Sequence, residues 1–278
     1  MTDHDFAQFR ELIYAHSHIY CADSQRLQFE KKLHAQLDAS GFHTLDQYYA
    51  FLTRPSEEAH QELAHLLEHI TINETAFFRI PGQFAGLRND VFPRLLQQES
   101  VFPLHVWSAG CATGEEPYSI AMTWLEYAAQ QNASPQKIKI LATDMSAAAI
   151  ATAQHAAYSS RKVQKIPHAF LDKYFKYTDD LYHVVEPVKQ LITFRQFNLV
   201  DIAASARPMY DLIFCRNVLI YFDYDAQLTL LRDILHSLRP GGFLCLGDAE
   251  TVHTYPEINK MLELHEAQDA LIYQKRGE

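Results

Sequence analysis

The 278-residue sequence lacks long apolar runs and a recognisable export signal. No stretch approaches the roughly 20 apolar residues that a membrane-spanning helix needs. The first residues, Met1-Thr-Asp-His-Asp, show neither the basic region nor the apolar region of a secretory signal. These absences predict a cytoplasmic protein that does not insert directly into a membrane.

Cysteine and positive charge are both scarce. The four cysteines, at positions 21, 111, 215 and 245, show no Cys-x-x-Cys spacing, and three lie in or beside predicted buried strands. We therefore expect reduced, buried thiols. The formal net charge is −10. Proteins that bind nucleic acid need a basic surface to neutralise phosphates, so no nucleic-acid partner is expected.

Common metal and catalytic motifs are also missing. The sequence contains no Gly-x-Ser-x-Gly, His-Glu-x-x-His or phosphate-binding Gly-x-x-x-x-Gly-Lys-Ser/Thr motif. His65 and His69 have the spacing of a metal-binding pair, but no acidic residue or cysteine nearby completes a site. The sequence therefore predicts no metal.

The N-terminal 71 residues carry the apolar spacing of four helices. Gly41 is placed to end the second helix, and Ser56 to cap the start of the fourth. Acidic residues outnumber basic ones in this region. We predict a helical N-terminal domain at 1–71, a linker at 72–103, and a larger domain at 104–278.

The larger domain alternates strands with helices, which predicts a mostly parallel sheet with helices on both faces. The predicted helices are 115–131, 146–155 and 225–238. The predicted strands are 104–107, 138–143, 191–197, 212–215, 243–246 and 270–274. Residues 158–190 interrupt the alternation and are expected to form an insertion with a short helix and one or two small strands. Residues 255–267 are expected to be a helix-poor connection.

A turn of small residues, Ser108 to Gly114, follows the first strand and leads directly into a helix. Small side chains allow a ligand to approach the backbone, and the helix start presents unpaired N–H groups. The Gly-x-Gly-x-x-Gly spacing of dinucleotide sites is absent. Glu115 and Glu116 at the helix start would repel phosphate. The pattern favours a nucleoside ligand without phosphates, with S-adenosylmethionine (SAM) as the leading candidate.

Polar residues at the ends of later strands extend this candidate site. Asp144 is placed to accept both ribose hydroxyls, although it is also a candidate N-cap for the next helix. Asn198 and Asn217 end two further strands, where an amide can bind an adenine edge or a carboxylate, with Leu199 and Val218 beside the ring. The alternative is that both asparagines serve turn formation only.

Between the two domains lies the segment Asn73-Glu-Thr-Ala-Phe-Phe-Arg79. Its charged and amide groups beside two phenylalanines indicate a segment folded against other structure. The alternative is an ordinary capped helix start with a solvated arginine. The segment alone does not decide between these interpretations.

With these motifs the chain resembles the CheR-type chemoreceptor methyltransferases, which transfer a methyl group from SAM to glutamate side chains on receptor helices. The matching segments follow the family order and cover about two-thirds of the chain. They are Asn73-Glu-Thr-x-Phe-Phe-Arg79, Trp107-Ser-Ala-x-Cys-x-Thr-Gly-Glu-Glu-Pro-Tyr-Ser119, Ala142-Thr-Asp144, Asn198-Leu199, Ile213-Phe-Cys-Arg-Asn-Val-Leu-Ile-Tyr-Phe-Asp223 and Leu238-x-Pro-Gly-Gly242. The amine-directed signature Asn/Asp-Pro-Pro-Tyr is absent, which argues against an exocyclic amine as acceptor.

The resemblance implies a fold, a cofactor and a set of site residues. The implied fold is the Rossmann-like SAM-dependent methyltransferase sheet with an antiparallel last strand, a small all-α N-terminal domain and an inserted β subdomain. The implied catalytic residues, nearest the reacting methyl group, are Arg79 and Tyr221. The residues expected to bind SAM, or the product S-adenosylhomocysteine, are Asn73, Thr75, Arg79, Ala109, Gly110, Glu115, Asp144, Met145, Asn198, Leu199, Asn217 and Val218.

The resemblance also implies partners. The expected substrate is the cytoplasmic helical domain of a chemoreceptor, and a response regulator or an adaptor protein is a possible further partner. We expect a monomer. The sequence departs from the family at Gly247-Asp-Ala-Glu250, where Gly-His-Ser-Glu is usual, so no catalytic role is assigned to that loop. The inserted residues 177–188 lack the glycine-rich loop of members that tether to a receptor pentapeptide, which predicts tether-independent action.

Three other functions are compatible with parts of the sequence. The first is a SAM-binding regulatory scaffold without turnover, which the change at Asp248-Ala249 alone supports. The second is a small-molecule carboxyl or hydroxyl methyltransferase, in which the helical domain is a lid. The third, an NAD-dependent dehydrogenase, is disfavoured because the turn that would bind the pyrophosphate is absent.

Overall fold

The computed structural model describes residues 1–71, 74–97, 103–204, 207–267 and 270–277. By their internal contacts the residues divide into a helical unit, Met1–Asn73 with Ile220–Gln227, and a sheet unit, Glu74–Leu219 with Leu228–Glu278. The helices are α1 (Asp3–Ser17), α2 (Arg26–Ser40), α3 (Leu45–Leu52), α4 (Glu57–Ile70), α5 (Pro81–Gly86), α6 (Phe92–Gln97), α7 (Glu115–Gln130), α8 (Ala147–His155), α9 (Ser160–Val163), α10 (His168–Tyr174), α11 (Glu186–Lys189), α12 (Tyr224–Ser237) and α13 (Pro256–Met261). The strands are β1 (Leu104–Ala109), β2 (Ile138–Asp144), β3 (Ala157–Tyr158), β4 (Phe175–Thr178), β5 (Leu181–Val184), β6 (Ile192–Gln196), β7 (Tyr210–Cys215), β8 (Leu238–Leu246), β9 (Leu262–Ala267) and β10 (Ala270–Lys275).

The four predicted helices of the N-terminal region are confirmed as α1 to α4. The hydroxyl of Ser56 accepts a hydrogen bond from the Ala59 N–H at the start of α4, and Gly41 ends α2 in the left-handed conformation at φ 77°. The apolar face of each helix is buried in a shared core that includes Phe9, Leu33 and Tyr48. Local capping and apolar spacing were therefore sufficient to predict these helices.

Residues 220–227 belong to the helical unit, although they follow the sheet strand β7 in the chain. Phe222 forms an antiparallel bridge with Ile19, and the Tyr20 N–H donates to the Tyr221 carbonyl oxygen at 2.7 Å. Tyr14 also forms a side-chain hydrogen bond with Asp223, which raises the pKa of the tyrosine. No local pattern indicates this pairing, because its partners lie about 200 positions apart in the chain.

The main sheet has the strand order β6-β2-β1-β7-β8-β10-β9. The first five strands run parallel, and β10 pairs antiparallel with both β8 and β9. The central strands are buried because helices cover them, as expected of a parallel sheet. The predicted alternation and the antiparallel last strand are confirmed.

The predicted helix-poor connection at 255–267 is wrong. It contains the helix α13 and the edge strand β9. The segment Leu262-Glu-Leu-His-Glu-Ala267 alternates apolar and polar residues but is short, and its backbone pairing with β10 decides that it is a strand. That pairing is a tertiary contact, so the local pattern could not show it.

The insertion is more regular than predicted. Strands β3, β5 and β4 form an antiparallel sheet, and α9, α10 and α11 accompany it. The hairpin between β4 and β5 closes with Asp179 and Asp180, both at positive φ, which is typical of a tight two-residue turn. Tyr174 and Phe175 are buried in the same apolar core as α7, so the insertion is an integral part of the sheet unit.

No helix among the described residues is long and apolar enough to cross a membrane. All four cysteines are buried and free. Burial raises the pKa of the Cys111 and Cys215 thiols, which disfavours the reactive thiolate.

Candidate active site

The turn after β1 lies at the carboxyl end of the sheet and is held against its neighbours by backbone contacts. The N–H groups of Gly110 and Cys111 both donate to the Thr143 carbonyl oxygen, at 2.8 and 2.9 Å. Gly110 adopts φ 78°, and a Cβ added there would lie 2.5 Å from the Val218 side chain. Glycine is therefore required by close packing between the turn after β1 and the loop after β7. This contact brings Ala109, Gly110 and Val218 together.

Asp144, at the end of β2, is buried and bound to two loops. Its Oδ2 accepts a hydrogen bond from the Ala112 N–H at 2.8 Å, and its Oδ1 accepts one from the Ser146 N–H at 2.9 Å. Ser146, whose hydroxyl accepts from the Ala149 N–H, is the N-cap of α8, so the capping alternative for Asp144 is wrong. The ribose-binding role of Asp144 stays a prediction.

The end of β6 lies beside Asp144 and Met145. The Phe197 N–H donates to the Asp144 carbonyl oxygen at 2.9 Å, and the Gln196 amide donates to the Met145 carbonyl oxygen at 3.1 Å. Asn198 Oδ1 accepts from the Val200 N–H at 3.4 Å. The asparagine therefore takes part in turn formation, as the alternative interpretation held. Leu199, the next residue, is buried. Ligand contacts of Asn198 and Leu199 stay predictions.

The loop after β7 is fixed by Glu250, a buried residue to which the sequence assigned no role. Glu250 Oε2 accepts from the N–H groups of Asn217 and Gly247, each at 2.7 Å. Its Oε1 accepts from the Leu219 N–H at 2.8 Å. Asn217 lies in the left-handed region at φ 58°, which asparagine tolerates better than most residues. Glu250 thus positions Asn217, predicted to bind an adenine edge or a carboxylate, and Val218, predicted to lie beside the ring.

Arg79 lies in a strained bend of the backbone. Its two neighbours, Phe78 and Ile80, adopt φ 51° and 61°, which side chains of this size rarely do. Each such residue costs about 1–3 kcal/mol and persists only when surrounding contacts impose it. The Phe78 N–H donates to the Ser119 hydroxyl at 2.9 Å, and Arg79 Nη1 donates to the Glu74 carbonyl oxygen at 3.1 Å. The segment is therefore folded against α7, while the Arg79 side chain is exposed and α5 begins at Pro81.

Arg216 supplies the contact that holds this bend. Its Nη2 donates a short hydrogen bond to the Arg79 carbonyl oxygen, and its Nη1 lies 3.4 Å from Glu116 Oε2. The guanidinium carbon lies 5.7 Å from the ring centre of Phe84, a distance typical of a cation–π contact. The Arg216 side chain is only 1% exposed. Burial raises the pKa of Glu116, and the charge of Arg216 opposes that shift. Arg216 belongs to the family motif at 213–223, but no function was predicted for it from the sequence.

Glu115, the first residue of α7, is fully buried beside a lysine of the insertion. Lys162 Nζ lies 2.7 Å from Glu115 Oε1, and the Thr113 hydroxyl donates to Oε2 at 2.6 Å. Lys162 also donates to the Thr75 carbonyl oxygen at 3.3 Å. Glu115 and Thr75 are therefore brought together through Lys162. Glu115 and Glu116 each face a cation, so the predicted repulsion of phosphate by both carboxylates is wrong.

Two predicted site residues are not placed by these contacts. Asn73 lies outside the described residues. Tyr221 belongs to the helical unit, where it lines a small cavity with Cys21, Lys32 and Ile70. Its proximity to the reacting methyl group stays a prediction.

Replacing Arg216 with alanine should lower the free energy of unfolding by about 3 kcal/mol, because Glu116 and the Arg79 carbonyl oxygen both lose a buried partner. Urea unfolding measures this change. The matched control is Arg232→Ala, which removes an ion pair with Glu257 at the surface and should have little effect. Equal losses in the two variants would contradict the buried role of Arg216.

Comparisons with known proteins agree with this arrangement. Residues 73–268 match the family model described as the CheR methyltransferase SAM binding domain, and residues 4–71 match the CheR methyltransferase all-alpha domain. The chain is 32% identical to the chemotaxis protein methyltransferase of Borreliella burgdorferi over 95% of this chain and 92% of that protein. It is 31% identical to chemotaxis protein methyltransferase 2 of Vibrio cholerae over 91% and 87%. It is 29% identical to chemotaxis protein methyltransferase Cher2 of Pseudomonas putida over 98% of each.

Proposed function

Because this chain belongs to the CheR family of SAM-dependent methyltransferases, we propose that it methylates glutamate side chains on the cytoplasmic helices of chemoreceptors. The products would be glutamate methyl esters and S-adenosylhomocysteine. The names of the relatives support a chemoreceptor substrate, since three of them are chemotaxis protein methyltransferases. The glutamate ester itself is our inference.

One structural observation carries the proposal. Contacts at the carboxyl ends of the parallel strands join the loops of Gly110, Asp144 and Val218. In open α/β sheets this edge is where ligands bind. The Arg79 segment is tied to the same unit through Arg216 and Ser119. The residues therefore fit a nucleoside cofactor and a carboxylate acceptor.

The cofactor supplies an electrophilic methyl group, so the chain's residues need only bind and orient the reactants. A glutamate acceptor has a pKa near 4.3 and is an anion at neutral pH, so no general base is required. Opposite charges are neutralised during transfer, which a dry site favours. Arg79 is suited to hold a carboxylate by paired N–H bonds, either that of the acceptor or that of SAM. Tyr221 is proposed to orient the methyl group or the acceptor oxygen.

We propose that SAM is bound by the residues predicted from sequence, with Asp144 at the ribose and Asn217 and Val218 at the adenine. The full set is Asn73, Thr75, Arg79, Ala109, Gly110, Glu115, Asp144, Met145, Asn198, Leu199, Asn217 and Val218. Lys162 joins Glu115 to Thr75, Arg216 binds the Arg79 carbonyl oxygen, and Glu250 holds Asn217, and these contacts support a single site.

Asp144→Ala should weaken SAM binding roughly 10- to 100-fold, the loss expected when hydrogen bonds to a charged group disappear. Calorimetric titration of SAM measures this change. The control Asp201→Ala removes an exposed carboxylate just after β6 and should bind SAM like the wild type. Unchanged affinity in a folded Asp144→Ala protein would remove ribose binding from the proposal.

Methylation of membranes carrying candidate receptors tests the function directly. With methyl-labelled SAM, we expect label on receptor glutamates as base-labile esters, located by tryptic mapping. SAM binding without label transfer would indicate a scaffold. Label on a small carboxylic acid alone would indicate a small-molecule methyltransferase. Both outcomes contradict the proposed function.

We propose that the protein acts without tethering to a receptor's C-terminal pentapeptide through the insertion. Its β4–β5 hairpin closes through Asp179 and Asp180, without a glycine-rich loop. Saturable binding of a receptor's C-terminal pentapeptide to the protein would contradict this. We also propose that the protein is monomeric and cytoplasmic, and that a response regulator or an adaptor protein is a further partner.

A further inference from the structure

An aromatic groove lies in the sheet unit beside Arg79. It has a volume of about 480 Å³ and is bordered by α5, α7 and α10. We call it the Phe78 groove, defined by Phe77, Phe78, Phe84, Phe170 and a rim of Arg79, Arg88 and Lys165. The Phe78 ring packs edge-on against Phe84 and Phe170, with centroids 5.3 and 5.2 Å apart. The floor of the groove is therefore apolar and built from interlocking rings.

The rim of the groove is positive, although the chain carries a net charge of −10. Arg79 and Lys165 are exposed, and Arg88 is partly exposed. The one carboxylate among the lining residues, Glu126, already binds Lys173 Nζ and the Tyr174 hydroxyl, each at 2.7 Å. Its charge is thus paired, and the rim is left with three cations. Such a rim complements an acidic partner.

We propose that the Phe78 groove binds a receptor helix next to its methyl-accepting glutamate, an inference that rests on the proposed function. Arg79 belongs both to the groove and to the predicted methyl-transfer site, so a helix in the groove would present its acidic residues there. On a helix, residues three and four apart share a face. A receptor helix that places an apolar side chain on the phenylalanine floor therefore brings acidic side chains one turn away to Arg88 and Lys165.

The size of the groove supports a helix face as its occupant. A volume of about 480 Å³ accommodates a few side chains rather than a folded domain. Helix-in-groove recognition uses this arrangement, with apolar anchors below and charges at the rim. A free anionic small molecule is the competing occupant, and the following experiment separates the two.

The test is the double variant Arg88→Glu/Lys165→Glu, assayed with methyl-labelled SAM over a range of concentrations of a receptor cytoplasmic fragment. We expect the KM for the receptor to rise on the order of tenfold, because two attractive rim charges become repulsive. Neither residue is assigned to methyl transfer, so kcat at saturating receptor and the Kd for SAM should stay close to wild type. The rise should shrink with added salt.

The matched control is Lys139→Glu/Lys260→Glu, which changes the net charge equally at two exposed lysines outside the groove. An apolar variant, Phe170→Ser, should also raise the receptor KM without changing SAM affinity. Its folding is checked by thermal unfolding. A receptor KM equal to that of the control double variant would overturn the groove while leaving the proposed function intact. Loss of the KM difference when a small carboxylate is added at constant ionic strength would also overturn the groove, because the small anion would then be its occupant. Absence of receptor methylation by the wild type would overturn both proposals.

Discussion

Arg79→Ala is expected to lower the turnover of receptor methylation on the order of 100-fold, the effect of losing alignment at a reacting centre. The guanidinium is exposed and its side chain donates to the backbone at Glu74, so its removal should leave the fold intact. Rates with labelled SAM, together with thermal unfolding of the variant, measure the two effects separately.

The same variant distinguishes the two carboxylates that Arg79 is suited to hold. If Arg79 holds the acceptor, turnover falls while the Kd for SAM stays near wild type. If it holds the SAM carboxylate, the Kd for SAM rises as well. The control is Arg94→Ala, which removes a surface ion pair with Asp90. Turnover and SAM affinity equal to wild type in both Arg79→Ala and Asp144→Ala would show that the site is wrongly assigned.

Glu250→Gln should destabilise the loop after β7 and weaken SAM binding roughly tenfold. Glu250 accepts three backbone N–H bonds with its two oxygens. Glutamine has one acceptor oxygen, and its NH₂ group would face N–H donors that it cannot satisfy. We expect the free energy of unfolding to fall by about 2–3 kcal/mol, the cost of buried donors left without an acceptor.

Urea unfolding and calorimetric titration of SAM measure these two consequences of Glu250→Gln. The control is Asp248→Asn, because Asp248 is an exposed carboxylate in the loop after β8 that also contains Glu250. Wild-type stability and affinity in Glu250→Gln would remove the positioning role. The departure at Asp248-Ala249 would then be the remaining difference of interest in this loop.

Elements with strong local signals were predicted well. The helices α1 to α4 follow from capping residues and apolar spacing, and β1 to α7 follow from a buried strand, small residues and a helix start. Residues predicted at the ends of parallel strands lie at one edge of the sheet, because sheet topology alone brings those ends together. Gly110, Asp144 and Val218 are linked there by direct contacts.

Residues that act through partners were missed. Lys162, Arg216 and Glu250 gain their roles only from side chains or backbone groups that lie far away in the chain. The edge strand β9 and the placement of residues 220–227 with the helical unit depend on backbone pairing with distant segments. Neither pairing can be read from the sequence of one segment alone.

The sequence by itself determined the helical N-terminal region, the parallel α/β sheet and the family, because capping, periodicity and motif spacing are local properties. Only the tertiary structure decided which charges are paired, why Gly110 must be glycine, and how the bend at Arg79 is held. These depend on contacts between segments far apart in the chain, and their energies come from burial, which no local pattern records.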